Sequence, residues 1–171
     1  MSKLKIYHPN AKGMGSALTL ELHPAHDEVR GNIVVSIAAQ KAVSAYEEDE
    51  HGGFIHTIPA GILPTFNWEN AISVKLDANE LAQMIEVLRG YKENLNDGKG
   101  FFHRTKTANI CITFKHCIEP LPCYVLNITR KEVVGETRGI GITLTMSEAI
   151  VLNEAISQSL VYVAFGVPSA K

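Results

Sequence analysis

Five residues of the types that ligate zinc, His103, Cys111, His116, Cys117 and Cys123, fall in one short stretch of the chain. Thiolate and imidazole donors are what a tetrahedral zinc site requires. Their spacing argues against a shared ion. On an extended strand Cys111 and Cys117 share a face but stand about 20 Å apart, while His116 points to the opposite face. No close C-x2-C pair is present, so the sequence reads as holding no metal, with ordinary half-buried thiols. Three cysteines confined to one stretch are also unlike a disulfide framework, and reduced thiols are expected. No G-x-x-x-x-G-K-[ST], G-x-S-x-G or H-E-x-x-H motif occurs, so no catalytic residue is assigned and the chain is read as a non-enzyme. The KGMG and GKG pieces do not lead directly into a helix, and hairpin turns explain them better than phosphate loops do. His8, His23, His26 and His51 read as surface or turn residues.

A second set has a different chemistry. Lys12, Lys41, Lys75, Phe101, Phe102, His103, Arg104, Lys106, Lys115, Arg130, Lys131 and Arg138 fall on expected strands and their ends. Positive charge tracks a phosphate backbone and flat rings stack on bases, and an antiparallel sheet presents both to a single strand. Successive strand residues face opposite ways, so of Phe101 and Phe102 only one is available for stacking while the other packs inside. The acidic run YEEDEHGG reads as a solvated hairpin tip facing away from any polyanion.

The elements that must position these residues are legible from periodicity. Ile72, Val74 and Leu76 alternate on one strand face, and Ile140, Ile142 and Leu144 do the same later in the chain; each strand runs directly into an amphipathic helix. Asp77 with Glu80, and Thr145 with Glu148, have the spacing of a capping box, and Leu76 with Leu81 adds a hydrophobic staple. Further strands are expected at Leu4 to Tyr7, Ser16 to Leu22, Gly31 to Val43, Phe101 to Arg104, Ala108 to Ile118 and Tyr124 to Arg130. The second helix is expected from Met146 to about Phe165, with Leu152, Ile156, Leu160 and Val163 on its buried stripe. Ile150, Val151, Leu152, Ile156, Leu160, Val161, Val163, Ala164 and Phe165 together exceed what one stripe needs, which predicts an oligomer interface that Leu160→Asp should break. The reading is a single α+β domain spanning 1–171, two four-stranded antiparallel sheets with two helices, built as an internal ββββα duplication of half-repeats at about 4–95 and 99–166.

Composition sets the outer limits. The chain has 171 residues, 16 basic and 18 acidic, for a net charge of -2, and is 46% hydrophobic. That is a globular composition, without the basic excess of many duplex-DNA binders. No apolar window approaches the length of a membrane span, and the N-terminus has neither a signal-peptide nor a transit-peptide pattern. A cytoplasmic location and no membrane partner are expected.

In their order and spacing the motifs resemble the whirly family of single-stranded DNA-binding proteins. Lys12 to Pro24, KGMGSALTLELHP, looks like the family's KGKAALSVEP strand with two residues inserted. Phe66, Asn67 and Trp68 resemble its Y-D-W, and Phe101, Phe102 and His103 match its F-F-H. Glu119 to Pro122 sit where it has E-P-L-P, and Ile142 to Leu152 is similar to its I-P-I-T-x-A-E-F-A-V-L. The resemblance implies a homotetramer that binds single-stranded DNA with little sequence preference through sheet faces and hairpin edges, without a cofactor. Lys12 and Gly13 match the start of the family signature, whereas its second lysine falls on Met14 or Gly15. The absence of a transit peptide makes the chain look like a bacterial or phage-type relative. Candidate nucleic-acid contacts are therefore Lys12, Gly13, Lys41, Lys75, Phe101, Phe102, His103, Arg104, Lys106, Lys115 and Arg130. Two other readings stay open: an RNA-binding module of the same shape, and a protein-interaction scaffold without nucleic-acid binding.

Overall fold

A computed structural model of the chain describes residues 3–41, 46–48, 51, 54–56 and 63–167. Ten strands, two α-helices and two short 3-10 turns are seen among them. Strands β1 (Lys3–His8), β2 (Ser16–His23), β3 (Asn32–Ala39) and β6 (Ile72–Leu76) form one antiparallel sheet in the order β1-β2-β3-β6. Strands β7 (Phe101–Arg104), β8 (Ala108–Cys117), β9 (Cys123–Glu132) and β10 (Thr137–Leu144) form the second, in the order β10-β9-β8-β7. Each sheet is followed by one helix, α1 (Ala78–Leu88) and α2 (Met146–Phe165), so the ββββα unit occurs twice.

Alternation decides which side of each sheet is wet. Leu18 and Leu20 of β2, Val35 and Ile37 of β3, and Phe114, Leu126 and Ile128 of the second sheet are buried, and the residues between them are not. The inner faces and both helices share one core, in which each fully buried large aliphatic side chain contributes roughly 1.5–3 kcal/mol. Helix α1 lies against β8 and against α2, and α2 reaches β2, β9 and β10.

Both helices begin with a complete capping box. The Asp77 side chain accepts from the Glu80 amide and Glu80 accepts from the Asp77 amide, and Thr145 and Glu148 repeat the arrangement. Leu76 and Leu81, which flank the first box, are fully buried as a staple requires. Helix α2 ends at Phe165, where Gly166 takes a φ of 80°, a conformation that glycine adopts at no steric cost.

The segment after β3 differs from expectation. Strand β3 ends at Ala39 rather than Val43: Gln40 keeps only an isolated antiparallel bridge to Phe66, and its side chain is bound to the β1–β2 connection; Val43 lies outside the described residues. Between β3 and β6, Tyr46–Glu48 (β4) pairs antiparallel with Phe54–His56 (β5), so the first three residues of the acidic run are strand and not hairpin tip; most of the remainder of the run lies outside the described residues.

Candidate nucleic-acid interface

The register of the second sheet gathers basic and aromatic residues at one end of its outer face. Arg104 lies opposite Asn109, Asn109 opposite Lys131, and Lys131 opposite Thr137, so one row crosses all four strands. The next row runs Phe102, Cys111, Thr129 and Gly139 by the same pairings. Phe102 is 72% exposed, which leaves most of the ring in water. Among the described residues, Arg104 and Lys131 have no ion-pair partner.

Phe102 and Arg104 also form one wall of a groove between the two sheets. Strand β7 is the edge of one sheet and β6 the edge of the other, and between them lies a cavity of about 540 Å³ lined by Ser73, Lys75, Phe102, His103, Arg104 and Ile110, among others. Its floor is apolar and its rim is cationic. A base can lie against the ring while the phosphates on either side meet Lys75 and Arg104, which is the combination that single strands require.

The outer face of the first sheet adds a second surface. Lys5, Thr19, Ser36 and Ser73 lie in one row, with Ser36 Oγ 2.7 Å from Ser73 Oγ, and Lys3 and Lys75 end the next row. Tyr7, Phe66 and Trp68 cluster beside it, with ring centroids 5.4 and 6.5 Å apart in successive pairs. Trp68 is therefore a surface residue at the sheet margin and not part of the core. Lys3 is drawn to Glu21 at 2.6 Å, and that hydrogen bond holds the Glu21 carboxyl below its usual range despite some desolvation.

No family model matches the chain, and no curated protein does. Among solved structures, the crystal structure of WHY1 from Arabidopsis thaliana superposes with a TM-score of 0.65 at 16% identity, over 96% of this chain and 88% of that one. The chain has the whirly fold. The duplicated ββββα architecture inferred from periodicity and motif order is the one observed.

Placed on the whirly fold, the candidate residues separate into groups. Lys75, Phe102 and Arg104 meet in the groove, and Lys106 is exposed on the turn that follows β7. Lys115 is exposed on the same outer face, but toward the other end of β8, opposite Val125. Lys12 and Lys41 are exposed at the far end of the first sheet; Lys41 is seven positions along the chain from Val34, the partner of Lys75, about 20 Å on strand geometry. The Lys41 amide is bound to the Thr65 carbonyl. The groove and the signature turn are separate places.

Gly13 serves that turn. It has a φ of 70°, and its amide donates to the Asn10 carbonyl at 3.2 Å. The buried Gln40 side chain accepts from the amides of Asn10 and Gly15 and donates to the Asn10 carbonyl, and a Cβ on Gly15 would stand 2.2 Å from the His8 carbonyl oxygen. The turn reading of KGMG holds.

Three candidates have settings unlike the rest. Phe101 is only 7% exposed and belongs to the core, so it offers no face to a base. Arg130 lies on the side of β9 opposite Lys131, and its Nε donates to Glu132 at 2.6 Å, holding that carboxylate below its usual range. His103 lines the groove but places Nε2 2.7 Å from Glu80 Oε1, an internal tie that commits that ring nitrogen to the fold. Lys5, Tyr7, Thr19, Ser36 and Ser73 were not singled out from sequence, although the alternation of KLKIYH already sets Lys3, Lys5 and Tyr7 on one side of β1.

The cysteines fall as strand geometry requires. Cys111 is half-buried on the outer face, and burial pushes its thiol up from the ordinary value. His116 stacks on Tyr124 at 4.5 Å from the other side of the sheet. No group of three or more potential metal ligands converges among the described residues, and no helix among them is long and apolar enough to cross a membrane.

Proposed function

We propose that the protein binds single-stranded DNA with little sequence preference, without a cofactor and without catalysis, through the groove between β6 and β7 and the outer sheet faces beside it. The observation that carries this reading is the exposed Phe102 ring lining one groove together with Lys75 and Arg104. Stacking on a ring and neutralising flanking phosphates are both indifferent to base identity, which accounts for weak sequence preference. The net charge of -2 disfavours duplex, which offers phosphates but hides its base faces. The sequence resemblance to the whirly family supports the same reading.

Self-association, with a homotetramer as the expected form, belongs to the proposal. Ile150, Val151, Val161 and Phe165 of α2 are 68%, 51%, 59% and 86% exposed, an apolar surface beyond what scattered surface residues leave. Burying it between copies would place several grooves on one particle, and a strand that bridges two grooves gains from effective concentration.

Fluorescence-anisotropy titration with unstructured single-stranded DNA, matched RNA and duplex at two salt concentrations tests the proposal. Tighter binding to the DNA single strand supports it, and equal affinity for RNA moves the reading to a general single-strand binder. Equal affinity for duplex, or none for any of the three at low salt, rejects it in favour of a protein-interaction scaffold.

A further inference from the structure

We propose that Cys117 and Cys123 form a dithiol site that a low-molecular-weight disulfide converts to an intramolecular disulfide, pinning the end of the β8–β9 hairpin. The two residues are direct partners across the antiparallel ladder, the last pair before the connecting loop. Directly opposed residues of an antiparallel pair have Cα atoms about 4.5–5.5 Å apart and side chains on the same face. Disulfides span Cα separations of about 4.4–6.8 Å, so the bond needs side-chain rotation and no change of register.

Both thiols are free and half-buried, so a reagent can reach them. Beside Cys117 lies a cavity of about 590 Å³, bounded also by Lys92, Lys115, His116, Ile118 and Glu119, large enough to admit a tripeptide thiol. The loop that joins the two cysteines is exposed, with Ile118 and Leu121 at 70% and 75%, so an approaching molecule meets little packed structure there. Cys111 has no such opportunity. It faces Phe102 and Thr129 across its own ladder, about 20 Å from Cys117 along the strand, and burial raises its thiol.

The exchange balances in two steps. The thiolate of one cysteine attacks a sulfur of the small disulfide, forming a mixed disulfide and releasing one small thiol. The second cysteine's thiolate then attacks the protein sulfur of that mixed disulfide, closing the Cys117–Cys123 bond and releasing the second small thiol. Two protein thiols are oxidised, one small disulfide is reduced to two thiols, and the protons lost by the cysteines end on the thiols released.

Oxidised glutathione added to the folded, reduced full-length protein, followed by alkylation and intact-mass analysis, tests the assignment. The expected product is two hydrogens lighter than the reduced chain before alkylation, takes up one alkyl group instead of three, and yields a peptide linking Cys117 to Cys123. Cys111→Ser should close as the native chain does, whereas Cys117→Ser should stop at a glutathione adduct on Cys123. A native chain that retains a glutathione adduct without closing, keeps all three thiols, or links through Cys111 or to a second chain overturns the proposal. None of these readouts involves nucleic acid, so the assignment stands or falls apart from the proposed function.

Discussion

His103 Nε2 sits 2.7 Å from Glu80 Oε1, joining the first strand of the second half to the capping box of the first half's helix. The mirror contact exists: His8 of β1 reaches Glu148, the capping-box glutamate of α2, also at 2.7 Å. Each half thus lends a histidine to the helix start of the other, across the internal duplication. The two contacts share no residues, so His8→Ala and His103→Ala should each lower stability by about 1 kcal/mol and add in the double variant. Urea unfolding reads this directly, and a double variant no weaker than either single one would show that the contacts are not independent ties. His103→Ala should leave DNA affinity near native, because the ring serves the fold.

Acid should loosen the α2 start. Burial pushes the Glu148 carboxyl up, but hydrogen bonds from His8 and from the Thr145 amide and hydroxyl outweigh it and hold the group below 4.5. A carboxyl depressed in the folded state contributes stability that is full above its unfolded value and is lost as pH falls through the folded one. Stability should therefore drop below about pH 4.5, and Glu148→Gln should be less stable at neutral pH with a flatter acid limb. Unfolding midpoints taken from neutral pH downward check the slope; an unchanged acid limb would remove Glu148 from the account.

Phe101 and Phe102 should separate completely on mutation. Phe102→Ala is expected to weaken single-strand binding by about 1–3 kcal/mol at every salt concentration, with an unchanged unfolding midpoint. Phe101→Ala should instead cost about 3–5 kcal/mol of stability, the toll of a buried ring. Paired anisotropy and denaturation curves distinguish the two.

Salt dependence should sort the cations. Arg104→Ala and Lys131→Ala are each expected to reduce the slope of log K against log salt by about 0.7, the value for one phosphate on a single strand. Arg130→Ala should leave the slope unaltered, since Glu132 holds that guanidinium. A loss of slope in Arg130→Ala comparable to that in Arg104→Ala would place the strand on the wrong side of β9.

Assembly should respond to the outward face of α2 alone. Val161→Asp is expected to give a folded particle of lower mass by light scattering. Leu160, which sequence periodicity puts on the buried stripe, is partly buried against the core, so Leu160→Asp should reduce stability as well and is the poorer probe. A Val161→Asp particle of native mass would place the interface elsewhere.

The fold was legible because its signals are local. Strand alternation, two capping boxes and the strand-to-helix switch at Leu76 and Leu144 are each contained in a few neighbouring residues, and together they define the duplication. The interface was only half legible. Periodicity separates Phe101 from Phe102, but whether an exposed arginine is occupied depends on a partner such as Glu132, and a run of strand residues does not announce which carboxylates will close on it. Lys75 and Phe102 come together because β6 and β7 are edges of different sheets, a relation that no spacing along the chain encodes. That Cys117 and Cys123 face each other was not legible for a similar reason: their pairing needs the hairpin register.

The two sheets, alike when finished, are unlike as folding problems. In the second, every neighbour in space is a neighbour in sequence, and short turns close each pair. The first becomes four-stranded only when β6 finds β3 across residues 40–71, and at about 0.6 kcal/mol per doubling of loop length that closure costs roughly 2 kcal/mol more entropy than a four-residue turn. The later-synthesised half should organise first, giving β6 a prebuilt surface to land on through its contacts with β9. Pulse-labelled hydrogen exchange during refolding should protect amides of β8 and β9 before those of β6, and the opposite order would mean that the long connection is not the slow step.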